Sequence, residues 1–231
     1  MSNLDARLDR VAALGEPVRR ALYRFVGSQA EPVSRDQAAS ALDVARHVAK
    51  FHLDRLVREG LLEATYQRPA GRTGPGAGRP TKLYRRIPGD LVVSVPERQY
   101  ALAGHVLVRA IGKAQRENVP PEAAVEQAAL AMGHDAGAEA LARLGADSSG
   151  FTSIKRVETV LEDHGYAPEV TGETITLRNC PFHALVDDET ELVCGMNRAF
   201  IAGLVGGLQV HTLDAELDPG PGRCCVRVGH R

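Results

Sequence analysis

Four cysteines, Cys180, Cys194, Cys224 and Cys225, all fall in the last quarter of this 231-residue chain. Thiolates are soft ligands and redox-active nucleophiles, so such crowding points to metal, cluster or redox chemistry rather than to scattered packing. The gaps are 13 residues between Cys180 and Cys194 and 29 between Cys194 and Cys224, and no C-x2-C or C-x4-C pair occurs. Structural zinc usually takes closely spaced ligand pairs, so wide spacing leans toward an iron-sulfur cluster, [4Fe-4S] or [2Fe-2S], with zinc as the alternative occupant. Cys180 sits in "NCPFH", where Pro181 removes a backbone donor and fixes the exit of the chain. Cys194 is expected near a helix N-terminus, where the macrodipole favours a thiolate. If 224–228 is a strand, Cys224 shares the inward face of Val226 and Val228, and Cys225 shares the outward face of Arg227. The primary ligand set is therefore Cys180, Cys194 and Cys224. The fourth position is open to His183, His211, Cys225 or a small exogenous thiol. Cys180 and His183 could also form a nucleophile and base, but neither an orienting third group nor an oxyanion donor accompanies them, so no enzyme is expected.

The elements that must position these thiols form an α+β unit. "FTSIKRVETVLEDHG" places Ile154, Val157, Val160 and Leu161 on one helical face and stops at Gly165. "YAPEV" and "TITLRN" read as a hairpin around "TGE", with Ile175 and Leu177 on one face. A helix from about Glu189 carries Val193, Met196, Phe200, Leu204 and Leu208 inward, and "HTLDAEL" and "RCCVRV" make a second hairpin around "DPGPG".

Charge divides the chain. Through Arg86 there are 16 Lys and Arg against 9 Asp and Glu, and after it 12 against 20, a formal +7 followed by −8. A basic module suited to a polyanion precedes an acidic one. In the basic module "EPVRRALYRFV" begins a helix at Glu16, with Pro17 in its first turn and Val18, Leu22, Phe25 and Val26 on one stripe. "SRDQAASAL" opens with Ser34 and has Gln37 three residues on, a capping box that starts a short helix ending near Leu42. The turn "DV" leads to a third helix over Ala45–Glu59, with Ala49, Leu53 and Leu56 inside and Arg46, His47, Lys50, Asp54, Arg55 and Arg58 outside, stopped by Gly60. "LLEATYQ" and "TKLYRR" then read as strands flanking "RPAGRTGPGAGRP", a loop too rich in Gly, Pro and Arg to pack. Its glycines lack a following Lys-Ser or Lys-Thr, which excludes a phosphate-cradling loop.

Three helices followed by a two-stranded wing resemble the winged-helix regulators of the ArsR and DeoR type, and "HLDRLVREGLL" over His52–Leu62 matches the end of their recognition helix. Such a helix enters the major groove. The expected DNA contacts are Ser34, Arg46, His47, Lys50, Arg55, Arg72 and Lys82, with Arg79 of the wing reaching the minor groove. The chain as a whole, with "NCPFH", a cysteine on the next helix and a terminal "CCV", resembles SufR and its iron-sulfur-dependent relatives. That resemblance implies that a cysteine-bound cluster sets DNA affinity. Some members carry a further cysteine between the last two, and residues 195–223 here contain none.

The remaining segment is a connector, "IPGDLVVSVPERQ", followed by helices over about 97–117 and 122–144. The first presents Tyr100, Ala103, Leu107, Ala110, Ile111 and Ala114 at helical spacing, a stripe that either serves a two-fold interface or covers the C-terminal core. The expected organisation is a winged helix-turn-helix domain over 1–88, a linker and helical dimerisation region over 89–148, and an α+β cysteine-containing sensor domain over 149–231. The expected function is a homodimeric repressor on a palindromic double-stranded operator, sensing redox or iron-sulfur status. A winged-helix regulator that binds zinc or a small organic effector is the alternative. No run of 18 apolar residues occurs, and "MSNLDARLDR" lacks a signal-peptide core, so a cytoplasmic protein without membrane contact is expected.

Overall fold

The computed structural model describes residues 3–67, 80–145 and 152–230. They divide into two compact units, Met1–Val93 and Ser94–Arg231.

The first unit opens with a helix that the sequence reading did not anticipate, α1 (Asn3–Ala13). In α2 (Pro17–Gly27) the Glu16 carboxylate caps the N-terminus, accepting from Val18 N at 3.0 Å and Arg19 N at 2.6 Å. β1 (Val33–Ser34) is a two-residue strand, and the capping box at Ser34 starts α3 (Arg35–Ala41) as expected. Asp43 takes a left-handed φ of 51°, which a short polar side chain tolerates, and turns the chain into α4 (Arg46–Arg58). Gly60, at φ 66°, leads out of that helix. β2 (Leu62–Gln67) and β3 (Thr81–Arg86) form an antiparallel pair, with β3 central in the order β1-β3-β2. The core joins Leu22, Val26, Ala49, Leu53, Leu56, Leu62 and Tyr84. One outward assignment needs correction. Asp54 is half-buried and accepts hydrogen bonds from Lys82 Nζ at 2.6 Å and Tyr84 Oη at 2.9 Å, tying α4 to the central strand. These bonds hold the Asp54 carboxyl below its usual range against the opposing effect of burial.

The second unit contains α5 (Tyr100–Glu117), α6 (Pro121–Leu144), α7 (Ser153–Asp163), β4 (Pro168–Thr171), β5 (Thr174–Leu177), α8 (His183–Val186), α9 (Thr190–Gly207), β6 (Leu213–Leu217) and β7 (Val226–His230). Its four strands form one antiparallel sheet in the order β4-β5-β7-β6, so the two hairpins join through β5 and β7. A single core draws on α5, α6, α7, α9 and the sheet. The buried face of α5 is Ala103, Val106 and Ala110, while Leu107 and Ile111 of the expected apolar stripe are 37% and 59% exposed. Small side chains let α5 lie close to its neighbours, and the larger ones are left facing out. The crossing of α6 and α9 is closer still. A Cβ on Gly133 or Gly137 would collide with backbone atoms of α9, and one on Gly203 or Gly207 with backbone atoms of α6.

Candidate nucleic-acid interface and cysteine centre

The outer face of α4 assembles the basic side chains of the first unit. Arg46, His47, Lys50, Arg55 and Arg58 are all exposed, opposite the buried Ala49, Leu53 and Leu56. Arg46 makes an exposed ion pair with Asp36 of α3 at 3.5 Å. Arg55 pairs with Glu59 at 2.7 Å one turn on, and Lys82 is held by Asp54. Ser34 Oγ is engaged within the capping box, accepting from Gln37 N at 3.2 Å and donating to Gln37 Oε1 at 2.9 Å. Arg72 and Arg79 lie outside the described residues. The central outward position also holds Phe51, 62% exposed between the cations. Sequence reasoning passed over it, although its place four residues after His47 marks it as outward.

In the second unit the four cysteines meet as two pairs. Cys180 follows β5 and is hydrogen-bonded to Cys224, which precedes β7. Cys194, in the first turns of α9, is joined to Cys225 in a disulfide with a Cα–Cα distance of 6.4 Å. This corrects the outward placement of Cys225. β7 begins only at Val226, and Cys225 lies in the bend before it, so strand alternation does not govern the adjacent pair. Cys224 N bonds to Leu177 O at 2.8 Å and Asp218 N to Cys225 O at 2.7 Å, which directs one sulfur toward Cys180 and the other toward α9. Among the described residues no group of three or more His, Cys, Asp or Glu side chains stands in a metal-holding arrangement.

The setting of these sulfurs is polar and ordered. Asn197, one turn beyond Cys194, is 1% exposed and donates from Nδ2 to Cys224 Sγ at 3.1 Å. Its Oδ1 accepts from the buried Tyr166 hydroxyl at 2.6 Å. Arg98 Nη1 donates to Asn179 Oδ1 at 2.6 Å and to Cys180 O at 3.2 Å, while Asn179 Nδ2 donates to the carbonyls of Glu97 and Gly165. The "NCPFH" loop is thus strapped to the segment before α5 and to the end of α7. The hydrogen bond from Cys224, helped by Phe182 N–H and the Arg98 charge, outweighs burial and pushes the Cys180 thiol down to about 7. The same bond and burial push the Cys224 thiol up. His183 is exposed on α8, its backbone N–H donating to the Cys180 carbonyl at 3.2 Å, and His211 is exposed before β6. Arg98, Tyr166 and Asn197 escaped sequence reasoning because no local pattern announces a buried polar contact.

Asn197→Leu is expected to cost about 2–3 kcal/mol, because it leaves the Tyr166 hydroxyl buried without a partner. Adding Tyr166→Phe should recover part of that loss in chemical denaturation. Additive losses would show that the two side chains do not act together.

Residues 14–64 match a family model described as a helix-turn-helix domain. With α3, its tight turn, α4 and the β2–β3 pair, the match supports a DNA-binding domain of the winged-helix regulator class. The chain accordingly reads as a DNA-binding transcription regulator. Comparison with curated proteins and with solved structures gives no match. Among the described residues no helix is long and apolar enough to cross a membrane.

Proposed function

We propose that this chain is a homodimeric, cytoplasmic transcription repressor whose affinity for a palindromic operator is set by an iron-sulfur cluster on the cysteines of the second unit. The observation that carries this reading is the gathering of all four cysteines, from three separate segments, into two contacting pairs. Their chemistry fits the group: once the disulfide is reduced they offer four soft thiolates, with Asn197 N–H aimed at one sulfur. Cys225, rather than His183 or His211, completes the donor set. A bound cluster supplies a redox-labile cross-link between thiolates. The residues of this chain do the rest: Arg98 and Asn179 fix the Cys180 loop, and Asn197 orients Cys224. Zinc would take the same thiolates and is the competing occupant. The exposed Tyr100, Leu107, Val108 and Ile111 of α5 offer an apolar face for the second copy.

A second reading is favoured by one observation, the Cys194–Cys225 disulfide. Thiol–disulfide exchange there would signal redox state with no metal at all.

Iron, sulfide and zinc assays on anaerobically purified protein separate these readings. The cluster reading expects brown protein with iron and sulfide, colour lost in Cys180→Ser, Cys194→Ser or Cys224→Ser, and colour kept in His183→Ala. Protein that stays colourless and iron-free after anaerobic reconstitution overturns it, and zinc in place of iron selects the competing occupant.

A further inference from the structure

We propose that Phe51 is a specificity residue of the nucleic-acid interface, reading the C5-methyl group of a thymine in the major groove. The proposal rests on the DNA-binding reading of α4 and is independent of the cysteines.

A phenylalanine side chain is stabilised by leaving water for an apolar interior. Phe51 forgoes that gain, with 62% of its surface in water. Its ring contact with His52, centroids 5.2 Å apart, leaves it uncovered. The position is not an accident of helix register, since the buried face of α4 is Ala49, Leu53 and Leu56 and Phe51 lies nearly opposite them. His47 and Arg55 flank it one turn before and one turn after on the same face, and Lys50 precedes it, all exposed. Charged residues are depleted from the cores of protein interfaces, so a lone ring inside a cationic field suits a polyanion better than a protein partner. On the base edges of a major groove the apolar feature is the thymine methyl, and phenylalanine is among the side chains that contact it. Arg46 at the start of α4 and Lys50 one turn on are placed to hold phosphates or base edges near that contact.

The test uses full-length protein and a duplex enriched by it from a randomised pool. Each thymine of the enriched site is replaced singly by deoxyuridine, which removes the methyl and preserves pairing. One thymine in each half-site should then weaken binding about fourfold, the worth of one buried methyl-sized group. Phe51→Ala should bind the thymine and deoxyuridine duplexes equally, and Phe51→Leu should restore discrimination. Unchanged far-ultraviolet circular dichroism would show that both variants are folded. Parent protein that binds tightly yet ignores every replacement, or a Phe51→Ala variant that still discriminates, overturns the assignment while leaving DNA binding intact. Failure of the parent to enrich any duplex would overturn the DNA-binding reading itself, and this assignment with it.

Discussion

Replacing Gly203 by alanine is expected to destabilise the second unit by about 3 kcal/mol or more, or to prevent its folding. Helix propensity alone argues the opposite, since alanine gains about 1 kcal/mol over glycine inside a helix. The crossing decides the sign. A Cβ at Gly203 would fall within contact distance of the Leu130 carbonyl and His134 N, both backbone atoms of α6 that cannot swing aside as a flexible side chain would. Gly133, Gly137 and Gly207 make reciprocal approaches, so relief at one position requires moving one helix axis against the other along several turns. Because α9 carries Cys194 and Asn197, such a shift would also displace the cysteine centre. Gly206 is the control on the same helix. Its Cβ would meet only His134 Cδ2, at 4.0 Å, so Gly206→Ala should be neutral or stabilising by up to about 1 kcal/mol. Thermal unfolding followed by circular dichroism reads both. A Gly203→Ala variant as stable as the parent would contradict the packing of α6 on α9.

The double variant Arg46→Ala, Lys50→Ala is expected to lower affinity for an enriched duplex by more than about 100-fold, since a dimer would lose four cationic contacts worth about 1–3 kcal/mol each when well formed. The Arg46 side chain is 78% exposed and Lys50 is exposed beside it, so removing them leaves the core of the unit untouched. The dependence of log affinity on log salt should become shallower by up to about 3–4, one increment for each phosphate contact removed. Arg55→Ala is the contrast. Its guanidinium already pairs with Glu59 at 2.7 Å, and a smaller loss is expected. Equal affinity for parent and double variant in fluorescence anisotropy would mean that a different face of α4 meets DNA.

Local signals were legible where local chemistry decides the structure. The Ser34–Gln37 capping box follows from side chains acting on their own backbone, and the spans of α4 and β3 from local periodicity and the turn residues that flank them. Features set by distant partners were not. Whether Asp54 faces water or β3 depends on Lys82 and Tyr84, some 30 residues away. Which part of the α5 stripe meets the core was not legible, because periodicity marks an apolar stripe without naming its partner: Ala103 and Ala110 are buried, and Leu107 and Ile111 are exposed. The cysteines show both sides of this. Their crowding was plain in the sequence, and Cys224 is buried, although it lies outside the strand from which its inward face was argued. The pairing of Cys194 with Cys225 was missed because it depends on where β7 begins, a boundary set by cross-strand bonds. β1 and the single turn α8 are too short to show a period in the sequence.

The central claim is that chemistry at the cysteines of the second unit sets the affinity of the first for DNA. It is tested most directly by titrating one enriched duplex with the same preparation in two states, reconstituted anaerobically with iron and sulfide, and then stripped of metal and oxidised. The dissociation constants are expected to differ by at least about tenfold, a coupling of about 1.4 kcal/mol, and the difference to be abolished in Cys180→Ser and Cys224→Ser. Equal affinity in the two states, with colour and metal content verified to differ, would contradict it.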